Sequence, residues 1–549
     1  MPVVSYRYPP ELFTGSLTGA ELIPIDGGSA YPTSIPIANL AAWLNSQVVS
    51  VLAFGADPTG ATLSSAAFQK AIDTLTGGGT VWVPPGLYQA AGVLLNGSSG
   101  LLSNIRLVGS GWASVLLLPA STQANVVQAT SGGGFVVQDL CIDGNKANNT
   151  PAGDYTKQNG IALWNVSGGR VSGCQVRNTV YTGILPGAPT LAQVGASNLI
   201  VADNYVTGCV TGIAAMKQND NVIADNVVVS ASTYGIVSDQ QSAQVAITGN
   251  TVSGCANIGI YLYNNTGTAV SGNISNYNLV GVVLDNGSTQ CDITANICSH
   301  NTNSGIKTVS LSLLNNVSGN ICISNAQFGI EINDSTQANV NGNTCCYNTY
   351  AGVGLTNGGE NHSVVGNTCN FNQNSGIVAS ATTQALIEAN YCLDNNQVQN
   401  AVDGGIRLTN ATSIVVTGNQ CYDDQGVHTQ NWGVVTDTGA TGNRIVNNNL
   451  SPNKLAPAAF VGTNVVRHNS GWVTEAQGST SIVSGTTSIV VAHGLSTTPE
   501  GGAIQITRAS PAGADTIFYV DTVGATNFTL HVNVNPGATV YFYWAVINL

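Results

Sequence analysis

The sequence predicts an all-β chain built on a parallel β-helix, followed by an antiparallel β-sandwich at its C-terminal end. Three observations carry that expectation. A Gly–aliphatic pair recurs about every two dozen residues, a series of asparagines keeps step with it, and each period holds only short β-type runs broken by Asn, Gly and Ser. Between Gly160 and Gly433 the pairs read "GIAL", "GILP", "GIAA", "GIVS", "GIYL", "GVVL", "GIKT", "GIEI", "GVGL", "GIVA", "GIRL" and "GVVT". Measured gaps between them include 23, 23, 24, 22 and 24 residues.

The asparagine series is Asn204, Asn226, Asn250, Asn273, Asn296, Asn320, Asn343, Asn367, Asn390, Asn419 and Asn448, spaced by 22 to 24 residues until two gaps of 29. Two independent markers with one period define a repeat. No run is long enough for an amphipathic helix, which excludes leucine-rich and ankyrin-type repeats. Stacking one period on the next gives rungs about 4.8 Å apart. The asparagines then form an inward or turn-lining ladder, a role suited to a side chain that tolerates left-handed backbone angles and passes amide hydrogen bonds between rungs. The two longer gaps read as loop insertions on one side of the column.

Cysteines follow the same register. Cys298, Cys322, Cys345, Cys369, Cys392 and Cys421 each sit two residues after a ladder asparagine and are expected to stack as one buried, reduced column. In-register stacking holds Cβ atoms about 4.8 Å apart, against the roughly 3.8 Å that a disulfide wants. No C-x-x-C spacing points to zinc, and neither metal nor cofactor is expected.

Only 7% of residues are charged, against about 25% in ordinary chains, while 43% are hydrophobic, which argues against disorder. The surface must therefore be Asn, Ser, Thr and Gly. The net charge of −13 comes from 14 Lys+Arg against 27 Asp+Glu, with no basic stripe, so nucleic acid is not an expected partner. No apolar run approaches a membrane span. The opening "MPVVSYRYPPELF" shows no basic segment leading into an apolar run, so synthesis in the cytoplasm without a secretory signal is expected.

An open solenoid end needs a cap. Ala67, Phe68, Ala71, Ile72 and Leu75 recur at helical spacing and Gly77 to Gly79 end that helix; "TVWVPPGLY" then reads as a strand stopping at the prolines. The stretches "FGADPTG" and "GGGTVWVPPGLYQ", with the helix between them and "LCIDGNKAN" after, resemble the entry segment of the pectate-lyase-like right-handed β-helix superfamily as carried by bacteriophage tailspike depolymerases. The resemblance covers about residues 47–450 and is specific for fold; at "GATLSSAAFQ" the chain lacks the acidic residue that often precedes the helix. It implies a homotrimer on a virion tail that binds or cleaves a bacterial surface polysaccharide at the cell surface. It transfers no catalytic residues.

The expected organisation is residues 1–46 as a segment attaching to a phage baseplate or tail, 47–470 as the capped β-helix, and 471–549 as a sandwich for trimerisation or carbohydrate binding. In the last piece, "TSIVVAHGL", "GAIQITRA", "TIFYVDTV", "FTLHVNVN" and "TVYFYWAVINL" alternate as strands, with Phe518, Tyr519, Phe528, Tyr541, Phe542, Tyr543 and Trp544 assigned mainly to core or subunit interface. His493 is read as a turn or packing residue, and "TNGGENH", with Glu360 and His362, as a solvated turn.

Counting from each repeat glycine, positions +1 and +3 face the core and +2 and +4 face out. The outward positions hold Trp164, Asp239, Tyr261, Tyr263, Asp285, Lys307, Glu331 and Arg407, with Asp239 through Glu331 on five consecutive rungs. Four spacings span about 19 Å, enough for several sugar units. Tyr261 and Tyr263 offer flat apolar faces with polar rims to a pyranose, unless a loop or a neighbouring subunit covers them. Asp239 and Asp285, two rungs and about 9.6 Å apart, can lean into the 6.5–9.5 Å range of an inverting glycosidase. Glu331 is a third candidate acid or base, with Lys307 between it and Asp285 and with Trp164 and Arg407 as further substrate-binding residues. A polysaccharide lyase using Lys307 or Tyr263 as base, and a non-enzymatic receptor-binding fibre, remain open. No H-E-x-x-H, G-x-S-x-G or phosphate loop is present.

Overall fold

The computed structural model describes residues 48–547 apart from 189, 191–193, 240, 400 and 512, together with two short antiparallel strands, Leu22–Pro24 and Ser34–Pro36. The rest of the expected attachment segment, residues 1–46, lies outside the described residues.

From Val48 to Arg467 the chain coils into a parallel β-solenoid of about 17 turns with three sheets along its length. Sheet A starts at Val48–Ser50, passes through Gly79–Val83 and Ile105–Gly109, and ends at Val465–Arg467. Sheet B runs from Thr59–Leu63 to Ile321–Ile323 and then thins to single bridges through Thr344, Thr368, Tyr391 and Gln420. Sheet C runs from Val93–Leu94 to Ala456–Ala459, and the repeat glycines lie on its strands or immediately before them.

Why glycine is needed there is a matter of space. A Cβ on Gly235 would lie 2.2 Å from Val252 Cγ1 and 2.6 Å from the Gly259 carbonyl oxygen. The glycine therefore faces inward, as does the next residue, Ile236, which is fully buried. Two inward residues in a row break the strand alternation, and the pairing passes from Thr211↔Tyr234 directly to Ile213↔Ile236. The residue before the glycine is thereby turned outward.

Ladders of buried amides fix the corners. Asn250 donates its backbone N–H and its side-chain amide to the Asn273 side-chain oxygen, both at 2.9 Å, and its amide also reaches the Ile223 and Thr248 carbonyls. The pattern repeats between Asn204 and Asn469, at the corner from sheet A to sheet B. The ladder asparagines do not themselves adopt left-handed angles, contrary to the sequence expectation. That conformation belongs to the residue just before, such as Asp203, Asp225, Gly249 or Ala295, whose turn aims the following amide inward. A second ladder, Asn278, Asn301, Asn325, Asn348, Asn372 and Asn395, lines the corner from sheet B to sheet C.

The third corner corrects another expectation. His362 is not in a solvated turn: it is 2% exposed, and its Nδ1 accepts the Ala338 N–H at 3.3 Å, as the Asn315 side-chain oxygen accepts the Cys291 N–H at 2.9 Å. Histidine makes here the cap that Asn315 makes two rungs earlier, between Ala338 and Ala385 on the adjoining rungs, while Glu360 beside it is exposed. The cysteine column is buried and unbridged, with Cys298 and Cys322 in direct register.

The helix Ser65–Asp73 buries Ala67, Phe68, Ala71 and Ile72 over the first rungs, with Phe68 edge-on to Tyr88 at 5.7 Å. At the other end, two three-stranded antiparallel sheets follow. Val540–Ile547 pairs with Glu475–Ile482 and Ile504–Arg508, and Asn527–Val532 pairs with Ser488–Ala492 and Phe518–Asp521. Phe528, Phe542 and Trp544 fill the core between them, whereas Tyr519, Tyr541 and Tyr543 are exposed. His493 is buried and bridges the Gly524 carbonyl and the Leu495 N–H.

Burial pushes the His362 imidazole from an ordinary 6.5 down to about 4. The folded chain thus holds a neutral ring, so the stability linked to it is present above 6.5 and is lost as pH falls from 6.5 to about 4. His362→Asn, which keeps a capping acceptor but no titrating ring, should flatten the decline in thermal midpoint over that interval; an unchanged decline would contradict the assignment.

Candidate functional site

The outer face of sheet C carries the predicted residues in two columns. Strand register aligns Val237, Tyr261, Val283, Lys307 and Glu331 in one. The other places Met216 beside Asp239 and Tyr263 beside Asp285, and the Ser238↔Leu262 pairing sets Asp239 next to Tyr263. Asp239 and Asp285 therefore flank Tyr263, two rungs apart.

Although these columns face outward, many of their members are covered. Ala162, Leu185, Ala214 and Val237 form an apolar cluster outside the solenoid core, roofed by Trp164, Met216, Tyr234 and Tyr261. Trp164 is thus a half-buried packing residue at the upper end of the stripe. Tyr261 is half-buried too: it stacks on Tyr234 at 5.2 Å, meets Tyr263 edge-on at 5.9 Å, and donates its hydroxyl to Asp285 at 2.8 Å. Burial first, and the Asp285 carboxylate after it, push the Tyr261 phenol well above its usual range, so it stays an O–H donor. Tyr263 is the more open ring, at 36% exposure.

Tyr234 was missed because strict period-two counting places the residue before the glycine inside. The bend at Gly235 turns it out, and the same bend turns outward the position held by Thr211, Ser304, Phe328 and Ser375, of which the last three are buried under neighbouring side chains. Ser304 donates to Glu331 at 3.0 Å, and Phe328 packs edge-on against Tyr350 at 4.8 Å. An irregular pair in glycine spacing, read as a bulge, is the signal that would have found them.

Two hollows open on this face. The upper one, about 460 Å³, is walled by Tyr155, Tyr181, Tyr234, Tyr261 and Tyr263, with Asp239 at its edge. Tyr155 comes from the loop before Ile161–Leu163 and lies 4.8 Å from Tyr181. The lower hollow, about 590 Å³, is bordered by Phe328, Tyr350, Glu331, Ser380, Arg407 and Thr409.

Ion pairs tie down the charged residues of the lower hollow. Glu331 is 5% exposed and accepts from Lys307, Ser304 and Asn333, each at 3.0 Å. Arg407 is clamped between Asp403 at 3.3 Å and Asp437 at 2.6 Å. Asp403 arrives on the insertion between Asn390 and Asn419, the first of the two long gaps. Asp403 and Asp437 are further residues that sequence reading passed over.

A family model described as the right-handed β-helix region matches residues 234–392, and one described as the periplasmic copper-binding protein NosD matches residues 125–308. The fold is that of a right-handed β-helix protein. Among curated proteins, mannuronan C5-epimerase AlgE6 of Azotobacter vinelandii is 38% identical over 106 residues, which is 17% of this chain and 12% of the epimerase's length. The solved A-module of that epimerase superposes with a TM-score of 0.38 at 18% identity, covering 77% of this chain and 98% of the module. A tailspike protein mutant of E. coli bacteriophage HK620, solved with a pentasaccharide, gives a TM-score of 0.53 at 12% identity over 94% of this chain and 96% of the tailspike.

The geometry separates residues braced by ion pairs from open ones. Arg407→Met leaves the buried Asp403 without its cation and should destabilise the fold by about 3 kcal/mol. Tyr263→Ala should leave the urea midpoint unchanged. Equal midpoints for the two variants would contradict this division.

Proposed function

We propose that this chain binds a polysaccharide along the outer face of sheet C and cleaves it as an inverting endo-glycosidase. One observation carries the reading: two carboxylates, Asp239 and Asp285, flank an open tyrosine beside an aromatic hollow on one continuous stripe. Their strands are about 9.6 Å apart, and side chains leaning together reach the inverting separation.

In this scheme Asp239 gives its proton to the glycosidic oxygen as the bond from that oxygen to the anomeric carbon breaks. Asp285, oriented by the Tyr261 hydroxyl, takes a proton from the water whose oxygen attacks that carbon from the opposite face. Tyr263 supplies a stacking face between them. Lys307, held by Glu331, reaches substrate hydroxyls farther down the stripe, where Arg407, braced by Asp403 and Asp437, shapes the wall of the lower hollow. The Lys307–Glu331 ion pair weighs against Lys307 serving as the base of a uronate lyase.

The tailspike with its bound pentasaccharide supports the reading only as a fold that can hold an oligosaccharide. Among the described residues, no three His, Cys, Asp or Glu side chains converge to hold a metal ion. We extend the proposal to a virion tail acting on a bacterial surface polysaccharide, with residues 1–46 attaching to the tail and the C-terminal sheets supporting a homotrimer or binding carbohydrate.

Asp239→Asn and Asp285→Asn should each lower depolymerisation by about 10²–10⁴-fold while polymer binding persists, as read by product sizing and a pull-down on the same polymer. Undiminished cleavage in either variant contradicts the assignment. A product absorbing as an unsaturated uronate would establish a lyase instead.

A further inference from the structure

The two hollows on sheet C differ in chemistry, and the difference points to the kind of sugar each accepts. The wall of the upper hollow is apolar beyond what stacking on a hydroxylated ring requires. Besides its tyrosines it presents Leu185, Val210, Met216 and Val237, and Leu185 and Val237 belong to the apolar cluster that sits outside the solenoid core. Its hydroxyl groups from Thr182 and Thr211 lie on the strand starts. The charge among its described lining residues is the Asp239 carboxylate, and Asp285 stands one rung below Tyr263. The lower hollow, by contrast, presents Glu331, Arg407, Asn357, Ser380 and Thr409.

We propose that the upper hollow is a subsite for a neutral sugar bearing a methyl group, either a 6-deoxy ring or an acetylated one, and that it rejects a uronate. The inference rests on the polysaccharide-binding reading above and adds the substrate class at one end of the stripe. A methyl group placed against Met216 and Val237, which pack together at the strand end, leaves water for an apolar contact, and a hydroxymethyl group there would lose hydrogen bonds that those two side chains cannot replace. A sugar carboxylate there would face the Asp239 carboxylate at the hollow and Asp285 one rung below Tyr263, and would lose its hydration against an apolar wall. The hollow's volume, about 460 Å³, lies within the range of small-ligand sites. Toward Lys307 and Arg407 the stripe turns polar, so a heteropolymer with an apolar-substituted unit and a hydroxyl-rich unit matches the surface in one direction only.

The test uses the full chain and four methyl glycosides: a 6-deoxyhexoside, an N-acetylhexosaminide, the parent hexoside and the corresponding hexuronide. Binding is measured by ligand-observed saturation-transfer NMR and titration. The expected result is that the 6-deoxy or the acetylated glycoside binds about tenfold more tightly than the parent, with the strongest saturation on its methyl protons, and that the uronide binds most weakly. Whichever of the two methyl-bearing sugars leads identifies the source of the methyl group. Met216→Gln should erase the preference while the thermal midpoint holds. A uronide that binds as well as the parent, or methylated and parent sugars that bind equally, overturns the subsite while leaving polymer cleavage as evidence for the function. Absence of binding by all four glycosides together with absence of polymer cleavage overturns both.

Discussion

Register is the constraint on which the rest of this structure depends. A parallel solenoid can slip by a residue, and a slip exchanges inner and outer faces of every strand it touches. Here the buried asparagine ladders forbid the slip. Each amide donates to its neighbour's side-chain oxygen and to backbone carbonyls at the corner, so a displaced rung would strand several buried polar groups at once. Two corners are pinned in this way, and the third only at intervals, by caps such as Asn315, His362 and Asn443 between apolar rungs. That pinning also explains a surface with so little charge: its ladders are closed along the stack, and edges occur only at its ends.

Once register is fixed, a site can be written along the axis instead of within one strand. Asp239, Tyr263 and Asp285 come from three coils and meet because their rungs are in phase. The bulge at the repeat glycine widens the strip by adding the residue before it, which brings Tyr234 onto Tyr261 and Ser304 onto Glu331. An outer apolar cluster then roofs the upper rungs, and paired ions brace the lower ones. The molecule thus has a strip whose ends differ in polarity.

Much of the fold was legible because it is encoded by spacing. The Gly–aliphatic pairs gave sheet C, Asn204 through Asn448 gave one corner, and Ala67 to Leu75 gave the cap. What escaped was encoded by contact. The ladder of Asn278, Asn301 and their successors sits five residues after the first and was masked by the many other asparagines nearby. His362 looked like a turn residue because the glycines before it suggest solvent, whereas Gly359 makes room for a buried ring: a Cβ on it would lie 2.8 Å from the His362 Nε2. For the strip, counting by twos found Asp239, Tyr261, Tyr263, Asp285, Lys307 and Glu331 but could not see that Glu331 and Arg407 are already engaged. Partners such as Asp403, delivered by an insertion, have no periodic signature.

The account stands on the outer face of sheet C being where a glycan lies. The most direct measurement is a structure of the Asp239→Asn, Asp285→Asn double variant with an oligosaccharide derived from the polymer it binds. The account predicts sugar rings running along the solenoid axis, one against Tyr155 and Tyr263 and others toward Phe328 and Arg407. A glycan held on the C-terminal sheets or on sheet A or B, with sheet C bare, would contradict it.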